Sequence, residues 1–360
     1  MSTDSAIRTV ALEEAFLHPR VWDLFPAALQ QKYEPVRARL SDVGPERIRQ
    51  MDAAGIDVQV LSHVQPGVQV LADDQAELSV SVCRDVNDWL AEVVAAQPSR
   101  FAGFAMLPTQ SPARAADELE RAVHQLGFKG ALINGHTNGR YLDDPSFDVL
   151  LGRAESLGVP IYIHPTDPPP VVTDTYYAPF DSALVPTWGW PVETGTHLLR
   201  LICAGVFDRH PNLKIIVGHM GELLPFCFTR LNAGLTMAGW LSAAASEHPL
   251  MRNNVFITSS GVFDVPVFDC ARAMLGLDNL MFSVDYPFQD NFAAMEFLER
   301  CDLSTDEKQR FSHRTADKLL KLDDDERDRS RRVAVGDTWY RLTSRAKSKV
   351  GRALISALVK

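Results

Sequence analysis

The stretch Ile215-Ile216-Val217-Gly218-His219-Met220-Gly221-Glu222 decides how this chain is read. Three β-branched residues make a short buried strand, glycine and histidine end it, and a carboxylate follows three residues later. A strand that stops at Gly-His and feeds a helix sets an imidazole at its C-terminal mouth, with Glu222 placed to orient it. In an α/β barrel the other strands bring their end groups to that same rim. Glu13, His164 and Asp285 hold the corresponding places.

Outward from that stretch the chain alternates short apolar runs with helical periodicity. Strands are predicted at Thr9 to Leu12, with Glu13 at its end, and at Val58 to His63, Phe101 to Leu107 and Gly130 to Asn134. The remaining four are Pro160 to His164, Lys214 to Val217, Asn254 to Thr258 and Leu280 to Asp285. Helices are predicted at Gly44 to Ala54, Asp74 to Ala96, Pro112 to Leu126 with Ser111 as N-cap, and Pro145 to Leu157. They continue at Val192 to Phe207, from Glu222 to about Ala245, and at Val265 to Leu275. The segment through about Ser41 reads as an irregular excursion that walls a pocket. The Pro165 to Pro191 connection, rich in proline and aromatics, is long enough to serve as a lid. Eight strands alternating with helices predict an α/β fold, a (β/α)8 TIM barrel over residues 1–322.

Residues 323–360 form a charged C-terminal extension. Its last part suits a small amphipathic helix with Leu354, Ile355, Leu358 and Val359 on one side; packing on the barrel or a second subunit, disorder, and contact with a membrane surface all stay open.

Composition bounds the partners. At 360 residues with 46% hydrophobic side chains the chain fills a core, and a net charge of −10 gives no electrostatic reason to expect nucleic acid or an anionic membrane. Five scattered cysteines without a CxxC pair suggest neither a disulfide framework nor a thiolate zinc site, which fits a reducing cytoplasm. The N-terminus lacks a basic region followed by an apolar core, and no apolar run approaches a membrane span of about 18 residues.

Glu13, His164 and Asp285, with His219 beside them, offer oxygen and nitrogen donors suited to a divalent ion such as zinc, manganese or iron. A divalent cation also makes clustered carboxylates tolerable. Any one such residue has a structural reading, but four at one rim point to a site.

From about Val10 to Leu322 the chain resembles the amidohydrolase-related metal-dependent decarboxylases, the hydroxybenzoate decarboxylases above all. The resemblance is carried by Ala11-Leu12-Glu13-Glu14-Ala15-Phe16, Pro66-Gly67-Val68-Gln69, Phe128-Lys129-Gly130-Ala131, Ile163-His164-Pro165, Gly205 to Pro211, Gly218 to Glu222 and Ser283 to Phe288. Hydrolytic relatives carry His-x-His on strand one and a bridging lysine on strand four, where this chain has Glu13-Glu14-Ala15 and Ile133-Asn134. One metal ion, zinc or manganese, is therefore implied, with no organic cofactor.

The resemblance implies Glu13, His164 and Asp285 as ligands, His219 and Glu222 as an acid/base pair, and Asn134 as a contact to a substrate hydroxyl or to the metal's water. Ala15 stands where some relatives have a second histidine ligand, and Gln289 where many have a glutamate. Phe288 is a candidate to stack on an aromatic substrate. Arg230, eleven residues after His219, lies about 16 Å along a helix from it, a span suited to a neighbouring subunit's pocket in a homodimer or homotetramer. His18, His63, His136 and His197 are further pocket candidates, with satisfied structural polar groups as the competing reading.

The implied reaction is non-oxidative decarboxylation of an ortho-hydroxylated aromatic acid. Direct loss of CO2 would leave an unstabilised aryl anion, so the ring carbon bearing the carboxylate must first be protonated, by Asp285 or by His219 paired with Glu222. The alternatives are a hydrolase acting on an ester, lactone or amide, and a catalytically silent binding barrel.

Overall fold

The computed structural model of the chain describes residues 7–240 and 254–322. Eight strands appear in chain order: β1 (Val10–Phe16), β2 (Val58–His63), β3 (Phe101–Gly103), β4 (Ala131–Asn134), β5 (Ile161–His164), β6 (Ile215–Val217), β7 (Val255–Thr258) and β8 (Leu280–Met281). Every paired neighbour is parallel, in the orders β1-β2-β3 and β4-β5-β6-β7-β8. Among the described residues a parallel bridge, Ala105 to Ala131, joins the two sheets. Parallel neighbours require crossovers, and the helices between strands supply them.

Alternation along the strands separates two apolar layers. Val10, Leu12, Val58, Val60, Phe104, Leu132, Tyr162, Ile216 and Met281 cluster on one face and fill the barrel. The larger set between strands and helices includes Ala11, Leu61, Phe101, Ile133, Ile161, Val217 and Ile257. The interior is therefore packed, and chemistry is confined to the rim. The helix Pro112–Leu126 shows how the outer layer is encoded. Proline opens it, Ala115, Ala116, Leu119 and Ala122 are buried at helical spacing, and Gly127 at φ 73° ends it. Ser111 occupies the N-cap position, but its side chain makes no capping bond.

The seam between β8 and β1 is closed mainly by side chains. The backbone contributes Ala15 N to Tyr286 O at 2.7 Å. Ser283 Oγ accepts from the amides of Leu12 and Glu13, and the Glu14 carboxylate accepts from the amides of Val284, Asp285 and Tyr286. Burial pushes the Glu14 carboxyl up to about 7, against those amides and the nearby Arg47 cation.

Several predicted boundaries are corrected. β1 continues through Phe16, with a register shift between Ala11 and Glu14, so Glu13 lies within the strand. The segment before Ser41 is helical at Pro19–Trp22 and Ala27–Ser41, and burial of Tyr33, Val36 and Leu40 holds the second helix together despite Pro35 within it. β3 and β8 are shorter than predicted. The helix predicted at Val192 runs Trp190–Cys203, followed by a short turn Val206–Arg209. The one predicted from Glu222 begins at Leu224 and is described to Met237. The Pro165 to Pro191 connection forms short helical turns at Pro170–Val172, Thr173–Tyr177, Asp181–Leu184 and Val185–Gly189. Among the described residues no helix is long and apolar enough to cross a membrane. The tail residues 323–360 lie outside the described residues.

Candidate active site

The C-terminal rim of β1, β5, β6 and β8 brings Glu13, His164, His219 and Asp285 together. One ligand atom each from Glu13, His164 and Asp285 lies within 4.8 Å of the other two. His164 Nε2 is 3.3 Å from Glu13 Oε1, and His219 Nε2 is 3.7 Å from the same oxygen and 3.9 Å from Asp285 Oδ2.

His164 is prepared for ligation by its other nitrogen. Nδ1 lies 2.7 Å from the Pro165 carbonyl, which can only accept, so Nδ1 carries the proton and Nε2 keeps its lone pair. Burial lowers the His164 pKa, and nearby His219 adds to that effect against the raising effect of Glu13.

His219 is in the opposite state. Burial alone would lower its pKa, but Glu222, Glu13 and Asp285 together hold it well above the usual histidine range. Its Nδ1 is 2.7 Å from Glu222 Oε1, which fixes the ring with Nε2 facing the site. Burial raises the Asp285 carboxyl, Glu13 adds to the effect, and the facing His219 imidazole opposes it.

The backbone carrying these groups is unusual. His219, Met220, Gly221, Glu222 and Leu223 all have positive φ, as does Asp285 at 76°. For residues other than glycine such conformations cost about 1–3 kcal/mol each and persist where the surroundings enforce them. At Asp285 the strain is held by the amides of Phe288 and Gln289, which donate to its carbonyl. Gly261, φ +68°, leaves room beside the pair: a β-carbon there would lie 3.0 Å from His219 Cδ2 and 3.6 Å from Asp285 Oδ2.

The residues present fit a divalent cation. Glu13 Oε1 is buried without a hydrogen-bond partner, and it faces a neutral imidazole nitrogen and a second buried carboxylate. A cation supplies what that oxygen lacks.

Other candidates fall at different distances from this cluster. Asn134 pairs with His164 in the β4–β5 register, and its Oδ1 is buried without a partner. Gln69 clasps its backbone, accepting from Asn134 N and donating to Asn134 O. Phe288 follows Asp285, half-buried, with its ring centroid 6.1 Å from that of Tyr33. Arg230 is exposed on the helix Leu224–Met237 and is not brought to the cluster within this chain. His136 and His197 lie together around Tyr141, beyond the end of β4, and His18 N donates to His63 Nε2 at 3.3 Å. Sequence reasoning missed Tyr162, Thr258 and Ser260, whose hydroxyls gather beneath Glu13. Inward alternation from His164 back to Tyr162 was the signal that would have found the first of them.

Residues 17–322 match the amidohydrolase family model. The chain is similar to the gamma-resorcylate decarboxylase of Polaromonas sp., 36% identical over 323 residues, which are 87% of this chain and 98% of that one. It superposes on the 5-carboxyvanillate decarboxylase LigW of Sphingomonas paucimobilis with a TM-score of 0.80 and 34% identity, covering 88% of this chain and 100% of that one. A dihydroxybenzoic acid decarboxylase of Polaromonas sp., solved with manganese and the inhibitor 2-nitroresorcinol, matches with a TM-score of 0.78 and 34% identity, over 90% and 99% of the two chains. The barrel, its rim cluster and these likenesses agree, and the chain belongs to the amidohydrolase family, in the branch of the hydroxybenzoate decarboxylases.

Proposed function

We propose that this chain is a metal-dependent carboxy-lyase that removes CO2 from an ortho-hydroxylated aromatic acid without oxidation. The observation that carries the reading is the face made by Glu13, His164, His219 and Asp285. It combines a donor set for one divalent ion with an imidazole that Glu222 orients so that its Nε2 points at the same spot.

Glu13, His164 and Asp285 would hold the ion. When bound, a divalent cation, manganese or zinc, neutralises the carboxylates and supplies a Lewis-acid anchor for an anionic aromatic acid. The remaining work falls to the chain. His219, oriented by Glu222, sets its Nε2 3.9 Å from Asp285 Oδ2, and this pair delivers a proton to the ring carbon that bears the carboxylate. The carbon–carboxyl bond then breaks, its electron pair restores the aromatic ring, and CO2 departs. We assign Asn134 Oδ1, buried and unpartnered, to accept from a ring hydroxyl, and Phe288, packed near Tyr33, to the aromatic wall. No step calls for an organic cofactor.

The relatives named above carry decarboxylase names, which favours this reading over the hydrolytic alternative. A silent binding barrel leaves the oriented His219 and the bare Glu13 oxygen without purpose. We assign Arg230 to contact with a second copy of the chain. It shares its helix with Phe226 and Met237, each more than four-fifths exposed, and Trp240 follows at 61%.

The test is a panel of ortho-hydroxybenzoates offered to protein loaded with manganese or zinc, with CO2 release measured. Turnover that disappears in His219→Ala supports the assignment. Absence of turnover across the panel, with metal shown to be bound, overturns the substrate class.

A further inference from the structure

The two oxygens of Glu13 have different surroundings. Oε1 is buried without a hydrogen-bond partner and faces His164 and His219. Oε2 accepts from the hydroxyls of both Tyr162 and Ser260. A hydroxyl has one proton, so both donors are committed to the carboxylate. Thr258 Oγ1 lies 2.7 Å from the Tyr162 hydroxyl and 2.9 Å from Ser260 Oγ, and its own proton backs one of them. Ser260 Oγ also accepts from the His219 amide at 3.1 Å, tying the same hydroxyl to the residue that carries the proton.

Gly218 completes the arrangement. A β-carbon built on it would lie 2.5 Å from Glu13 Oε2, 2.9 Å from Ser260 Oγ and 3.1 Å from the Tyr162 hydroxyl. Its φ of −76° and ψ of −168° are open to any residue. Glycine stands there for space and not for conformation.

We propose that Tyr162, Ser260 and Gly218 form a hydroxyl-lined cradle that ties up one oxygen of Glu13, making it a one-oxygen ligand and leaving room at the ion for the aromatic acid. The proposal rests on the metal-dependent reading above. These are positioning residues: they act on the ion and substrate through Glu13. Hydrogen-bond partners of metal ligands typically account for about 10–100-fold in affinity, and a cradle of two donors belongs in that range. A released carboxylate is also free to offer both oxygens, which crowds the substrate, so KM rises more than kcat falls once metal is saturating.

The experiment is a manganese titration read by the magnetic resonance signal of the free aquo ion, made on the full chain and on Tyr162→Phe, Ser260→Ala, Gly218→Ala and Glu13→Gln. Melting of each protein, metal-free and with manganese, is recorded alongside. The cradle variants should each bind manganese about 10–100-fold more weakly, and beyond any loss of metal-free melting from a missing buried donor or crowding at Gly218, manganese should raise their melting less than it raises the parent's. Steady-state kinetics of Ser260→Ala at saturating manganese should show the KM-weighted defect. Wild-type affinity in Tyr162→Phe and Ser260→Ala, with affinity lost in Glu13→Gln, would overturn the cradle and leave the decarboxylase reading standing. Unchanged affinity in Glu13→Gln would instead remove the metal site on which both rest. If Tyr162→Phe does not fold, Ser260→Ala and Gly218→Ala carry the same test.

Discussion

Two groups of histidines and acids stand near the C-terminal ends of the strands, and they have opposite electrostatics. At the rim of β1, β5, β6 and β8, Glu13, Glu222 and Asp285 surround His219 and raise its pKa against the effect of burial. Beyond β4, His136 and Tyr141 meet Glu193 and His197 of the helix Trp190–Cys203. There Glu193 accepts from Tyr141, and Arg200, paired with Asp143 at 2.8 Å, lies over the Tyr141 ring. Burial dominates that second group, lowering His136, pushing His197 down to about 3 and raising Glu193. The residue types are alike. The balance of carboxylates over local cations separates a site that draws in a metal ion from a neutral packed network.

The largest effect that would break this contrast is catalytic. His219→Asn or Asp285→Asn should lower kcat by about 10²–10⁴-fold, the range for loss of a positioned proton donor, whereas His136→Gln should leave kcat within a few-fold. Equal losses on both sides in steady-state assays would erase the distinction. A smaller effect concerns packing. Tyr141→Phe strips the donor from the buried Glu193 carboxyl and should destabilise the fold by about 1–3 kcal/mol in denaturant unfolding, with metal affinity unchanged. A change in metal affinity there would mean that the two groups are coupled.

A further effect is absent at neutral pH and emerges only on acidification. His197 is neutral in the fold, its pKa displaced from 6.5 to about 3, chiefly by burial. As pH falls below 6.5 the unfolded chain takes up a proton that the folded chain refuses, so stability declines toward pH 3. His197→Gln should remove up to about 1.4 kcal/mol per pH unit from that slope. An unaltered slope between pH 6 and 4 would show that His197 does not resist protonation.

Much of the scaffold was legible because burial writes itself into spacing. Apolar runs marked all eight strands, and the four rim residues were placed by the strands that carry them. The helix Ala27–Ser41 was masked by Pro26 and Pro35, although Tyr33, Val36 and Leu40 already stood at helical spacing. Other features had no local signal. Met220, Glu222, Leu223 and Asp285 take left-handed conformations that only their surroundings impose. The β8–β1 seam depends on Glu14 and Ser283, 269 residues apart, meeting in space. Ser260 reaches Glu13 across 247 residues for the same reason. Alternation names the inward residues of a strand, but long-range partners emerge only when the barrel closes.

The central claim, that a proton from the His219–Asp285 pair replaces the carboxyl group on an aromatic ring, is tested most directly by isotope placement. Metal-loaded protein would turn over an ortho-hydroxybenzoate in deuterated water enriched in oxygen-18, and the phenolic product would be read by mass spectrometry and proton resonance. The account predicts one deuterium at the vacated ring carbon, an equivalent of CO2, and no oxygen-18 in the phenol. Oxygen-18 in the organic product without CO2 release, or product without deuterium at that carbon, would contradict it.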